Sequence, residues 1–408
     1  MPSPRKTTRS APGVRKRTYA LKGGTKKTVY VARFSYTDGN GQRRFDESRR
    51  FNTRAEAISE YARMKSAHDS GSYTAPSTIT LAEYVETHWL ASITTRIKRT
   101  TADGYRRVWE RHIKPELGSV RLQRLTPVQI DAFYQGLGVD RTVRVSGASG
   151  EVHEERRSAL KPKTIRNIHL ILGKALADAV DSELLTRNPA ARAKPPRVVR
   201  LPEDEIRAWD AEELQAFLGY VRPTRWFPLI RLAAMTGMRR GEILGLRWSD
   251  VDFENRALTV RQTLNAQAYE TYFDTPKSHK PRRIDLDPKT IKMLKRERKA
   301  QKVAQDEYGE GYLVGSLVFT NDNGSLIHPD TFSQAFERLV GQTRLPRLTL
   351  HGLRHTHATL LLKAGVPVNV VAQRLGHADP GFTLRQYAHV LPSMQASAAR
   401  DISSLIDG

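Results

Sequence analysis

Six residues in the carboxyl-terminal half of the chain have types and spacings that could do chemistry together. Arg239 follows a glycine turn in Thr236-Gly237-Met238-Arg239-Arg240-Gly241-Glu242, and Lys277 lies in Thr275-Pro276-Lys277-Ser278-His279-Lys280-Pro281-Arg282-Arg283. His351 and Arg354, in His351-Gly352-Leu353-Arg354-His355-Thr356-His357, would stand one helical turn apart on one face and could hold the same anion. His377 closes Leu375-Gly376-His377, and Tyr387 follows ten residues later. Guanidiniums present planar forks to oxyanions, imidazoles move protons near neutrality, and a phenol is a possible nucleophile. Taken singly, each has an ordinary use. An Arg three residues before a Glu is commonly a helix salt bridge, Lys277 a solvated turn lysine, and Tyr387 a half-buried packing residue.

The 408 residues carry 67 Lys and Arg against 43 Asp and Glu, a net charge of +24. A field of that sign and size points to a polyanionic partner, nucleic acid above all. Residues 1–75 hold 17 basic against 6 acidic side chains, 76–200 hold 22 against 13, and 201–408 hold 28 against 24. A basic grip therefore precedes a nearly balanced body. There is no cysteine, which excludes disulfides, thiol nucleophiles and thiolate metal sites. No run of apolar residues is long enough for a membrane span or a secretory signal, so a cytoplasmic, nucleoid-associated protein of a bacterial host is expected.

These groups must be positioned by a multidomain α+β chain. Residues 1–16 read as a flexible basic tail. In 17–72, Thr18 to Leu21, Val29 to Tyr36 and Arg43 to Phe51 are strand-like, joined by Gly23-Gly24 and Asp38-Gly39-Asn40-Gly41 turns. Thr53 and Glu56 form a capping box for a helix to about Gly71. A small three-stranded sheet on one helix is predicted, with Arg33, Arg43, Arg44, Arg49 and Arg50 as candidate DNA contacts. Residues 78–190 have helical apolar spacing (Leu81, Tyr84, Val85, Trp89; Tyr105, Val108, Trp109, Ile113; Ile165, Ile168, Leu172, Leu176), predicting an all-α domain. A hairpin or mobile loop interrupts it from Arg141. Arg96, Lys98, Arg99, Lys161, Lys163 and Arg166 are its candidate DNA contacts. The prolines of 191–202 make a linker, and 203–408 is predicted mainly α with a small β-sheet, Ala257 to Val260 and Arg283 to Leu286.

In the order and spacing of its Arg, His-x-x-Arg, Leu-Gly-His and Tyr boxes, the chain resembles the tyrosine recombinases, specifically phage-type integrases. The resemblance by motif covers about Leu201 to Ser393. It implies an arm-type DNA-binding domain at 17–72, a core-binding domain at 78–190 and a catalytic domain at 203–408. It further implies a site-specific recombinase that cleaves and rejoins duplex DNA through a 3′-phosphotyrosyl intermediate, integrating a phage or other mobile element at an attachment site. By the same resemblance the catalytic set is Arg239, Lys277, His351, Arg354, His377 and Tyr387, and Glu242 braces Arg239. Tyr387 is the nucleophile and its neighbouring arginines favour the phenolate. His351 helps take the phenolic proton, Lys277 protonates the 5′-oxygen and His377 donates to the phosphate. Duplex attachment sites, a homotetramer on DNA, and an excisionase or DNA-bending host protein are the implied partners, and no cofactor or metal is required. A metal on His351, His355, His357 and His377 is disfavoured because Arg354 lies among them without a nearby carboxylate; His355 and His357 are expected to be packing or surface residues. A type IB topoisomerase-like relaxase and a non-catalytic DNA-binding regulator are the alternatives.

Overall fold

A computed structural model describes residues 13–20, 26–37, 42–69, 74, 77–146, 151–199, 207–267, 270–276, 280–388 and 394–407. The Gly23-Gly24 and Asp38–Gly41 turns, and Lys277, lie outside the described residues. The chain divides into two compact units, Met1–Arg200 and Leu201–Gly408.

The first unit opens with an antiparallel sheet of Val14–Ala20, Lys26–Thr37 and Arg43–Glu47, the long strand in the middle. Its first strand starts inside the stretch read as a flexible tail. Val14 pairs with Ala32 and is buried, so residues 14–16 are held by the ladder. The helix Arg54–Asp69 begins at the expected box, with Thr53 Oγ1 accepting the Glu56 N–H (3.3 Å) and Glu56 accepting the Thr53 N–H (3.2 Å). Phe34 and Ala32 meet Met64 of this helix, and the Phe34 ring packs on Tyr61 and His68. The returning strand ends at Glu47, earlier than expected, and Phe51 rejoins only by an isolated bridge to Tyr30.

Helices then dominate, including Arg99–Val108, Pro127–Leu137 and Pro162–Asp181. Capping boxes at Thr80/Glu83 and Thr126/Gln129 start two of the helical runs. Leu81, Tyr84, Trp89, Trp109, Ile113, Ile165, Ile168, Leu172 and Leu176 form one core, as their 3.6-residue spacing requires. Within this helical segment Arg141–Ser146 and Val152–Arg157 pair as an antiparallel hairpin.

In the second unit, Ala211–Val221, Phe227–Thr236 and Arg240–Leu244 precede a sheet in which Ala257–Val260 is flanked by Val251–Asp252 and Arg282–Asp285. A separate hairpin pairs Thr263–Gln267 with Glu270–Asp274. Helices Pro288–Tyr308, Pro329–Gly341, Leu350–Lys363, Val368–Leu375, Pro380–Tyr387 and Met394–Asp407 follow. Trp209, Phe217, Phe332, Phe336 and Leu353 anchor one continuous core, so the long helix bearing His351 and Arg354 is clamped from several sides. No helix of the described residues is long and apolar enough to cross a membrane.

Candidate active site

The apolar helix Phe227–Thr236 ends at Gly237, whose φ of +63° is left-handed. A side chain there would be doubly excluded, because its Cβ would fall 2.7 Å from both His357 and Leu375. The turn delivers Arg239 in extended conformation to the start of Arg240–Leu244. Glu242, 1% exposed, accepts the Arg239 backbone N–H (Oε2, 2.9 Å) and Arg239 Nη1 (Oε1, 2.9 Å). Arg240 turns elsewhere, to Asp330 and Ser333. Burial alone would raise the Glu242 carboxyl, but Arg282 and then Arg239 outweigh it and hold it below the usual range.

Thr349 caps Leu350–Lys363 by accepting the Gly352 N–H (3.0 Å). One turn in, Arg354 is 3% exposed and donates Nη1–H to Gly237 O (2.7 Å). Its Nη2 donates to Leu375 O and to His377 Nε2, both at 2.8 Å. Three of its five N–H donors are thus taken, leaving two for an anion. Burial, then Arg239, pulls it down to about 9, so it stays charged at neutral pH. His351 feels Arg354 and Arg239 as well; burial and those charges hold it below its usual range.

His377 leaves Val368–Leu375 through left-handed Gly376 (φ +69°). Because its Nε2 accepts from Arg354, its single ring proton lies on Nδ1, against Thr383 Oγ1 at 2.7 Å. Burial and Arg354 lower it to about 4. In this arrangement the neutral ring has no spare donor, so giving one to a phosphate requires the ring to leave Arg354 or Thr383.

Tyr387 ends the helix Pro380–Tyr387 and is 1% exposed. Its hydroxyl lies 2.6 Å from Nδ1 of His355, whereas His351 contacts the His355 ring edge-on. Two expectations are corrected here. His355 does more than pack against the rings of His351 and Tyr387: it, rather than His351, is hydrogen-bonded to the phenol. It stands four residues after His351, so helical periodicity was the available signal. The phenolate is also not favoured overall. Burial raises Tyr387 to about 12 and Arg354 only partly opposes it. With His355 lowered to about 4 by burial and its neighbours, a neutral O–H donates to a neutral imidazole.

His357 does pack. Its Nδ1–H donates to Ala234 O (2.8 Å) and its Nε2 accepts from Arg374 (3.2 Å), which fixes a neutral tautomer; burial lowers it to about 4. The unfolded chain takes up this proton near the free value of about 6.5 and the folded chain only near 4, so stability is full above 6.5 and falls across that window. Acidification from pH 7 to 4 is expected to narrow the stability gap between wild type and His357→Gln by about 3 kcal/mol. Denaturant melts at the two pH values measure this, and an unchanged gap would exclude it.

The structure thus gathers Arg239, His351, Arg354, His377 and Tyr387 with Glu242, Arg282 and His355, while Lys277 lies outside the described residues. Among the described residues no cluster of three or more His, Cys, Asp or Glu could hold a metal. The remaining basic candidates belong to the first unit. Arg33 and Arg43 lie 4.1 and 5.4 Å from the exposed Phe45 ring, Arg49 stacks on Phe51 and Arg50 on Tyr19. Arg44 is on the same strand as Arg43, with its side chain outside the described set. Arg96 and Arg99 are exposed and Lys98 half-buried near the start of Arg99–Val108. Lys161, Lys163 and Arg166 cover the solvent face at the start of Pro162–Asp181, opposite buried Ile165 and Ile168.

Residues 206–394 match the phage integrase family, and residues 80–138 match the phage integrase N-terminal SAM-like domain. The chain is 27% identical over 344 residues to a XerC-like tyrosine recombinase of Caldanaerobacter subterraneus subsp. tengcongensis, covering 80% of this chain and 83% of that protein. It is 25% identical over 378 residues to the integrase of Mycobacterium phage D29, covering 89% of each. Among solved structures, the Tn1549 transposon integrase in complex with a circular intermediate DNA superposes with a TM-score of 0.63 at 21% identity, covering 79% of this chain and 99% of that one. The lambda integrase tetramer bound to a Holliday junction gives 0.52 at 17% identity, covering 93% and 95%. At these identities the two structures establish a shared fold.

Proposed function

The chain belongs to the phage integrase family of tyrosine recombinases, enzymes of site-specific DNA strand cleavage and religation, and from that premise we propose that Tyr387 is its nucleophile and Arg239 and Arg354 its phosphate clamp. One observation carries this reading: Arg354 holds the turn that delivers Arg239 and also lies within electrostatic reach of Tyr387. The phenol oxygen attacks the scissile phosphorus in line, the P–O5′ bond breaks, and the strand is left as a 3′-phosphotyrosyl ester with a free 5′-hydroxyl. The ester is rejoined by whichever 5′-hydroxyl attacks it, so no external energy source enters. The two arginines stabilise charge on the non-bridging oxygens as it develops. His355 is placed to accept the phenolic proton, and Lys277 is assigned to protonate the 5′-oxygen. A hydroxyl covered as that of Tyr387 is must be exposed before it can attack, so its short helix has to move when DNA is engaged. Trapping the ester on a nicked duplex from the DNA flanking the gene, followed by peptide mapping, tests the assignment; an adduct on any residue other than Tyr387 would refute it.

The partners and layout belong to the same proposal. Residues 17–72 bind arm-type sites, 78–190 bind the core site, 203–408 cleave and rejoin it, and the substrates are duplex attachment sites of a phage or other mobile element. The lambda tetramer on a Holliday junction supports four copies acting together, and exposed Ile402, Leu405 and Ile406 on Met394–Asp407 support docking of that helix on a neighbouring protomer. An excisionase or DNA-bending host protein sets direction, and the work is done in the cytoplasm, at the nucleoid. Deleting residues 1–71 is expected to remove arm-site binding while core cleavage survives. Gel shifts on separate arm and core duplexes measure this, and arm binding that persists would refute the first domain's role. Affinity for the arm duplex should fall with salt at a log–log slope of about −0.9 per neutralised phosphate.

A further inference from the structure

The stretch Thr275–Arg283 contributes more than its lysine. We propose that Arg282 is a positioning residue that sets the geometry of both Arg239 and the His377 turn, a proposal that rests on the reading of the site given above.

Arg282 opens the strand Arg282–Asp285, opposite Val260, and its side chain is buried. Its fork lies bidentate on Glu242, Nη1 to Oε1 at 2.9 Å and Nη2 to Oε2 at 2.5 Å. Glu242 is the same carboxylate that receives Arg239 through its backbone N–H and Nη1. The third edge of the guanidinium points the other way. Arg282 Nε donates to Arg374 O at 3.0 Å, in the last turn before Gly376 and His377. A Cβ on Gly376 would lie 2.9 Å from both Cδ and Nη1 of Arg282, so glycine is required for the chain to cross the guanidinium on its way to His377. One planar group therefore ties three segments that are distant in sequence: the Arg239 helix start, the sheet edge beyond Lys277, and the turn carrying His377.

Its arrangement also explains why one carboxylate can serve two arginines. With both Glu242 oxygens pinned by Arg282, the carboxylate plane is fixed, and Arg239 meets it along one edge only, leaving the rest of its fork for a phosphate. Without Arg282, Glu242 would be free to rotate into a full fork with Arg239 and draw it off the substrate. Lysine cannot substitute, because a point charge on a flexible stem cannot satisfy both carboxylate oxygens and a carbonyl on the opposite side. Arg282 acts through Glu242 and the Arg374 turn and touches no reacting atom.

The test uses the full-length chain and a nicked duplex from the DNA flanking the gene, with Arg282→Lys and Arg282→Met. For each variant the duplex dissociation constant, the single-turnover rate of covalent adduct formation at saturating duplex, and the melting temperature are measured. The expected result is a fall in the saturating rate of about 100-fold, the usual consequence of a misplacement near 1 Å, with duplex affinity unchanged and a cooperative melt retained. If Arg282→Met fails to fold, Arg282→Lys, which keeps the charge, decides alone. Wild-type adduct with Arg282→Lys cleaving at the wild-type rate overturns this proposal and leaves the site assignment standing. A rate loss matched by equal loss of affinity or of folded protein also overturns it, because that marks a merely structural ion pair. A wild-type chain that forms no adduct overturns the site assignment and this proposal with it.

Discussion

Tyr387→Phe is expected to abolish the covalent protein–DNA adduct completely while leaving duplex affinity unchanged. The substitution removes one oxygen, and that oxygen is the atom proposed to become the ester. Thr383 Oγ1, on the same helix, is committed to His377 and offers no replacement. The ring stays in place among Ala358, Leu362, Val371 and Leu375, so the packing that orients its helix is retained. The loss on the protein side is the hydrogen bond to His355, which costs about 1–3 kcal/mol where a buried acceptor is left unpaired. A denaturing gel after incubation with nicked duplex reads the adduct and a native gel reads binding. An adduct that persists in Tyr387→Phe would mean another residue is the nucleophile.

Arg354→Lys is expected to lower the single-turnover cleavage rate by about 100- to 1,000-fold, the scale set by removing one preorganised donor to a developing oxyanion. Lysine keeps the charge, so what is tested is the fork. Arg354 spans Gly237 O on one side and Leu375 O with His377 on the other, and an ammonium cannot reach both while still facing a phosphate. Arg354→Ala should be worse for a second reason: it strands two buried carbonyls and loosens the turn that presents Arg239. Measuring melting temperature alongside cleavage separates the contributions. Wild-type turnover in Arg354→Lys would remove the residue from the clamp.

Much of the architecture was legible in the chain. The helical spacing of Tyr84, Trp89, Ile168 and Leu172 predicted the faces that now meet in one core, because burial of one face imposes a 3.6-residue period. Capping at Thr53 was legible for the same kind of reason, a local rule satisfied within four residues. The limits of the first strand were not. Val14 belongs to it only because Ala32 stands opposite, a partner far along the sequence. The hydrogen bond between His355 and Tyr387 spans 32 residues, and the fork of Arg282 on Glu242 spans 40.

By itself, the order of residues singled out the candidate side chains proposed to carry the chemistry. The glycine-led Arg239, the turn-spaced His351 and Arg354, and the interval from His377 to Tyr387 are each short-range patterns, set by a tight turn or one helical repeat. Tertiary structure alone decided which imidazole holds the phenol, that desolvation outweighs Arg354 in setting the state of Tyr387, and that Arg282 shares a carboxylate with Arg239. Those outcomes depend on distance and water exclusion between remote segments, and neither quantity exists until the segments are packed together.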